Sequence, residues 1–321
     1  MKMLLCSDVR LGAINNENLT VEQSHKWQAV LKQKMVDLFD RASINNCKYI
    51  ALFGHIFAQE RVSETIIDDL FSTISESENI QTLLLVEKRE YDRLNCRKDV
   101  PNNLHLLNML EVGSYSDDNI KILINDGSIK VKFSDNEVTE VKKIDGCYKF
   151  NLLAKECAIP SFEPISFDEA QDNGYGYSFL EWSKTSIDSY KMTNSQVYAY
   201  KSIELKILPE DGQKEILAKL LSILSKVDPN TFLRITITGK LAFGINFSVE
   251  VVKKQLENKI FYVEVYDNTM MDIDEDEFEN DISLRSEFVK LALQDDSLSE
   301  SERNKVISCG WNVLSGKGVI D

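Results

Sequence analysis

Three short apolar runs in the first ninety residues each end in a cluster of ionisable side chains. Met3-Leu4-Leu5-Cys6 leads into Ser7-Asp8-Val9-Arg10-Leu11-Gly12, Tyr49-Ile50-Ala51-Leu52-Phe53 into Gly54-His55-Ile56-Phe57-Ala58, and Gln81-Thr82-Leu83-Leu84-Leu85-Val86 into Glu87-Lys88-Arg89-Glu90. Guanidinium and ammonium groups at Arg10, Lys88 and Arg89 suit a phosphate, with the planar fork of arginine able to grip two oxygens at once. The same cations could instead be consumed internally by Asp8 and Glu90.

These strand ends resemble those of calcineurin-like metallophosphoesterases, in which the first strand ends in Ser-Asp-x-His-Leu-Gly, the second in Gly-Asp-x-x-Asp and the third in Gly-Asn-His-Asp or Gly-Asn-His-Glu. Here Arg10 stands for the histidine, His55 for the aspartate, and Glu87-Lys88-Arg89-Glu90 for the third motif. Of the ligands those motifs carry, Asp8 alone is matched residue for residue. Later runs narrow the resemblance to the SbcD-type DNA repair exonucleases: Ser166-Phe167-Asp168-Glu169-Ala170, Gly174-Tyr175-Gly176-Tyr177, Leu284-Arg285-Ser286-Glu287-Phe288-Val289 and Cys309-Gly310-Trp311-Asn312-Val313-Leu314-Ser315-Gly316.

The resemblance implies a two-metal hydrolase in which cations about 4 Å apart activate water and steady the transferring phosphate. The chain holds three histidines, His25, His55 and His105, and none after position 105, where the family carries its later histidine motifs. Asp8 and His55 are at best the vestige of that metal site. The resemblance therefore implies a catalytically inactive homologue with no catalytic residues and no cofactor, serving as a scaffold or regulatory subunit in DNA repair or processing. Its implied partners are an SbcC-like coiled-coil ATPase, DNA and a second copy of the chain. The alternative is a divergent exonuclease or phosphodiesterase using manganese or magnesium at Asp8 and His55, with Glu90 or Asp92 nearby.

Composition sets limits on these readings. A formal charge of -15 disfavours a broad surface that tracks phosphates, which requires clustered Lys and Arg. The stretch from Asp272 to Asp281 reads as a solvated acidic loop or a docking segment for a basic partner. Six cysteines without Cys-x-x-Cys spacing suggest reduced core thiols. No apolar run approaches the roughly 18 residues that cross a bilayer, and no signal peptide opens the chain, so a soluble, cytoplasmic protein without membrane contact is expected.

The elements that must position the ionisable clusters follow from periodicity. Trp27, Leu31, Met35, Leu38 and Ala42 mark a helix between the first two strands, and Ile66, Ile67, Leu70, Phe71 and Ile74 mark another before the third. Ile120–Ile124 and Ile129–Phe133 flank Asp126-Gly127 as a hairpin, and further strands follow near Tyr148, Tyr177 and Val197. The expected fold class is α/β (α+β): a two-sheet metallophosphoesterase-like sandwich over residues 1–202, a smaller α+β capping domain over 203–280, and C-terminal helices over 281–321. The last helix opens near Ser297-Leu298-Ser299-Glu300, a capping-box pattern, and stops at Gly316 or Gly318.

Overall fold

A computed structural model describes residues 1–15, 17–58, 62–152, 155–172, 174–242, 247–272 and 282–314. The chain divides into two compact units, Met1–Val197 and Tyr198–Asp321. The acidic stretch beyond Asp272 and the glycines at 316 and 318 lie outside the described residues.

In the first unit, strands and helices alternate as β1 (Lys2–Ser7), α1 (Val21–Ile44), β2 (Tyr49–Phe53), α2 (Glu64–Glu76), β3 (Gln81–Val86), α3 (Lys88–Asn95) and β4 (Leu104–Asn108). Each strand pairs in parallel with the one before it, in the manner of crossover connections. After β4 the pattern changes to a meander, β5 (Gly113–Ser116), β6 (Ile120–Asn125), β7 (Ser128–Phe133), β8 (Val138–Ile144), β9 (Cys147–Leu152) and β10 (Lys155–Ile159). The chain then passes through α4 (Phe167–Asp172) and returns as β11 (Gly176–Trp182) and β12 (Ile187–Asn194), which extend the first sheet to the order β12-β11-β1-β2-β3-β4.

Strand alternation explains why the central strands are apolar throughout. Met3, Leu5, Ala51, Phe53, Leu83 and Leu85 face the second sheet and share one core with its Ile122, Val131, Phe133 and Phe150. Their neighbours Leu4, Cys6, Ile50, Leu52 and Leu84 are buried on the opposite face, where α1 packs against β2. A strand covered on both faces reads as a continuous hydrophobic run. The stripe on α1 is Trp27, Leu31, Met35, Leu38, Phe39 and Ala42, and the helix starts at a reciprocal cap in which Thr20 and Gln23 satisfy each other's backbone N–H. The hairpin between β6 and β7 turns through Asp126 and Gly127, both at positive φ (46° and 79°), a geometry that selects Gly at the second position.

The second unit alternates strand and helix as β13 (Ala199–Ile207), α5 (Gln213–Leu224), β14 (Thr231–Ala242), α6 (Val249–Leu256) and β15 (Tyr262–Asp272), and its strands form a three-stranded parallel sheet. Ile207, Leu233, Ile235, Ile237 and Val263 bury one face against Ile216, Leu220, Val252 and Leu256 of the helices. β13 pairs along its whole length in this sheet, starting at Ala199. Two further helices, α7 (Leu284–Leu293) and α8 (Glu300–Leu314), share a small core of Val289, Ala292 and Ile307. Ser299 and Glu302 cap α8 reciprocally, so the box begins two residues after the Ser297 start that the pattern suggests. Among the described residues no helix is long and apolar enough to cross a membrane.

One buried ion pair links distant parts of the first unit. Lys34 of α1, 6% exposed, donates to the Phe162 carbonyl and to the Glu163 carboxylate, whose other oxygen accepts the Val197 N–H at 2.9 Å. Removing one member of a buried pair strands the other charge. Lys34→Met should therefore cost about 3–5 kcal/mol in urea unfolding. Adding Glu163→Gln, which removes the stranded charge and keeps an acceptor for Val197, should recover most of that loss.

Candidate functional site

The three ionisable clusters converge where β1, β2 and β3 end. Beyond the regular ladder the exits of β1 and β2 continue side by side: the Asp8 N–H donates to the Phe53 carbonyl at 2.8 Å, that of Arg10 to His55 at 3.1 Å and that of Leu11 to Ile56 at 2.7 Å. Asp8 and Arg10 hold positive φ (45° and 52°), which turns the β1 exit sharply enough to follow its neighbour. Gly54 adopts φ +80°, and a Cβ there would lie 2.5 Å from Asp8 Oδ1 and 2.9 Å from the Tyr148 ring. The glycine in this motif is thus required both by its backbone and by the carboxylate and ring pressed against it.

Each ligand-like side chain has a protein partner. Asp8, 3% exposed, accepts the backbone N–H of His55 at 3.2 Å through Oδ1. The His55 ring leans toward Glu87, with Nε2 3.9 Å from Oε1, and both side chains are nearly half exposed. Glu90, one turn into α3, reaches back to accept the N–H groups of Ile56 (3.3 Å) and Phe57 (2.8 Å). Arg10 grips Glu169 of α4 with Nη1 at 3.0 and 2.8 Å from the two carboxylate oxygens. Glu169 is itself held by the N–H of Ile165 and by the Ser166 hydroxyl on its own N–H. Lys88 pairs with Glu111 at 2.5 Å, and Arg89 is exposed on the first turn of α3.

The cations at Arg10 and Lys88 are therefore neutralised, but by Glu169 and Glu111 rather than by the Asp8 and Glu90 that sequence proximity suggests. Those two carboxylates serve backbone N–H groups instead. Among the described residues no three His, Cys, Asp or Glu side chains stand together in a way that could hold a metal ion. His25 lines a cleft between α1 and α2 that Leu11 and Gly12 also line, and His105 bonds Gln81 at 2.7 Å and packs on Tyr115.

Two participants escaped the sequence reading. Glu169 lies in a motif noted for its order, yet nothing in the string pairs it with Arg10, which precedes it by more than a hundred residues. Tyr148 comes from β9 of the second sheet and packs on Phe53, with ring centroids 5.7 Å apart. Lys143 lies over the same ring, its Nζ 5.2 Å from the centroid. Burial pushes the Tyr148 phenol above its ordinary range, and the negative charges of Asp8, Glu87 and Glu90 push in the same direction.

Glu90 holds its proton more tightly than an ordinary carboxyl. Burial raises its carboxyl to about 7 against the pull of its two backbone donors, with the charges of Glu87 and Asp8 adding to the rise. A carboxyl raised by folding contributes stability that is whole at acidic pH and is lost as pH rises through about 7. Between pH 5 and pH 8 the wild type should lose up to about 3 kcal/mol from this group. Glu90→Gln should flatten that dependence in paired urea titrations; an unchanged slope would show that Glu90 is not its source.

No protein-family model matches this chain, and no curated protein is similar to it in sequence.

Proposed function

We propose that this protein is a catalytically inactive relative of the SbcD-type exonucleases, acting in the cytoplasm as a scaffold or regulatory subunit in DNA repair or processing alongside an SbcC-like coiled-coil ATPase. One observation supports this reading above the others: the side chains at the family's ligand positions act as structural fasteners. Asp8 and Glu90 hold the backbone of the β2 exit, and the guanidinium of Arg10 takes the place of an imidazole and is clamped by Glu169. A hydrolytic centre needs carboxylates turned toward the reacting phosphate and water, with coordination positions open. Carboxylates committed to backbone donors have little capacity left for that task. The retained strand–helix order and two-sheet core keep a frame on which a partner can assemble without chemistry.

The reading is tested with purified protein on single- and double-stranded DNA in manganese and in magnesium. The expected result is no hydrolysis above a no-protein control and no change on Asp8→Asn. Metal-dependent cleavage that disappears in Asp8→Asn would overturn it in favour of a reduced-metal phosphodiesterase. Association is checked separately by co-purification with a coiled-coil ATPase of the SbcC type. Capture should fall at least about tenfold, a loss of about 1.4 kcal/mol, when residues 281–321 are removed, and capture unaffected by that deletion would argue against placing the contact there.

A further inference from the structure

Helices α1 and α2 face each other across a cleft of about 360 Å³. Small-molecule sites begin at about 300 Å³ and are largely apolar, with a few polar groups converging on them. The apolar lining here comes from Leu11, Leu31, Met35, Ile66 and Leu70, all of them buried except Ile66, which is half-buried. Residue size keeps the gap open. Between His25 and Lys32 on the facing row of α1, Ala29 contributes a single methyl group, and on α2 Thr73 turns its hydroxyl back onto the Asp69 carbonyl of its own helix at 2.8 Å. Gly12 adjoins Ile66 with φ +76°, where a Cβ would come 2.9 Å from the Ile66 side chain. At the rim, Lys32 Nζ and Asp69 Oδ2 bridge the two helices at 2.7 Å, with 61% and 43% of their side chains exposed. An ion pair as exposed as this adds little to stability and opens at small cost.

From this combination of apolar cavity and two-signed rim we infer that the cleft binds an apolar α-amino acid, with its side chain among Leu31, Ile66 and Leu70 and its charged end inserted between Lys32 and Asp69. Charge decides the class of ligand. A molecule with a single charge would meet one rim group of its own sign, since Lys32 and Asp69 stand together. A zwitterion offers an ammonium to Asp69 and a carboxylate to Lys32, so one ion pair is given up and two are formed. The net gain comes from the apolar body, whose area leaves water for a lining that already exists. His25 and Gln28 line the same cleft and add hydrogen-bonding groups beside the charged end. A partner's helix laid along the groove would have to break the Lys32–Asp69 bridge and set both charges against its apolar stripe, whereas a short molecule uses them. The site stands apart from the proposed scaffold role, and either can fail without the other.

The test is a titration of the full-length protein with free phenylalanine and free leucine, read by NMR on carbon-labelled methionine methyl groups and histidine rings. Saturable shifts of Met35 and His25 are expected, while free glycine, which has no apolar body, should shift neither. Phenethylamine and 3-phenylpropionate carry the same ring with one charge each, and both should bind at least about tenfold more weakly than phenylalanine. Asp69→Asn and Lys32→Gln should each weaken phenylalanine binding about tenfold with little change in the unfolding midpoint, because the pair they break is exposed. Ala29→Leu fills the cleft from an exposed position and should abolish the shifts in a protein that still unfolds cooperatively. The inference is overturned if no saturable shift occurs, if the single-charge analogues bind as tightly as phenylalanine, or if Ala29→Leu leaves the shifts intact. It is equally overturned if the Met35 and His25 signals move with protein concentration alone, which would make the cleft a contact between two copies of the chain.

Discussion

Three successive backbone N–H groups, those of His55, Ile56 and Phe57, leave β2 without a neighbouring strand to receive them, and two carboxylates take all three. Asp8 accepts the first and Glu90 the second and third. A buried backbone donor left unmet costs about 1–3 kcal/mol, so this arrangement fixes much else. It requires Asp8 to turn back at positive φ, Gly54 to lack a side chain, and α3 to begin close enough to β3 for Glu90 to reach across. On the carbonyl side, the same exit is zipped to the β1 loop through Arg10 and Leu11. The strand ends therefore form a closed unit in which acidic side chains complete the backbone of a neighbouring loop.

Much of the framework was legible in the sequence because burial on defined faces leaves a periodic trace. The stripe from Trp27 to Ala42 is the buried face of α1, and the unbroken apolar runs of β1, β2 and β3 are buried on both sides. Asp126-Gly127 marks its turn because few residues other than glycine tolerate the second position. α3 was not legible as a helix: Lys88–Asn95 buries only Leu94, so its register is set by Glu90 and by its place after β3 rather than by an apolar stripe. Domain edges were also faint, since the change from the first unit to the second near Val197 falls between two strands of similar composition.

The candidate site was legible in position but not in pairing. Motif spacing located Asp8, Arg10, His55 and the Glu87–Glu90 run at strand ends, because the end of a parallel strand is where the chain must leave the sheet. Which carboxylate meets which cation depends on α4 and on the β4–β5 connection, which bring Glu169 and Glu111 to the site from distant sequence. Tyr148 is further removed, since it reaches the strand ends across the interface between the two sheets. No local pattern encodes a meeting of that kind.

The sign of the site follows from these pairings. Read along the string, Arg10, Lys88 and Arg89 replace metal ligands with cations and suggest a positive pocket. In the fold, Glu169 accepts from Nη1 of Arg10 through both carboxylate oxygens and Glu111 takes the Lys88 ammonium, so each of these cations already faces a carboxylate. Asp8, Glu87 and Glu90 are left with their charges uncancelled by those two cations, and the raised carboxyl of Glu90 records, beneath the larger effect of its burial, the repulsion from the other two. Three carboxylates brought to one strand end would repel one another if nothing offset their charge. The observed answer is partial: one cation per remote carboxylate, a proton available to Glu90 near neutrality, and backbone N–H dipoles on Asp8 and Glu90. A strand end compensated in this way holds the backbone of its neighbour through its own side chains.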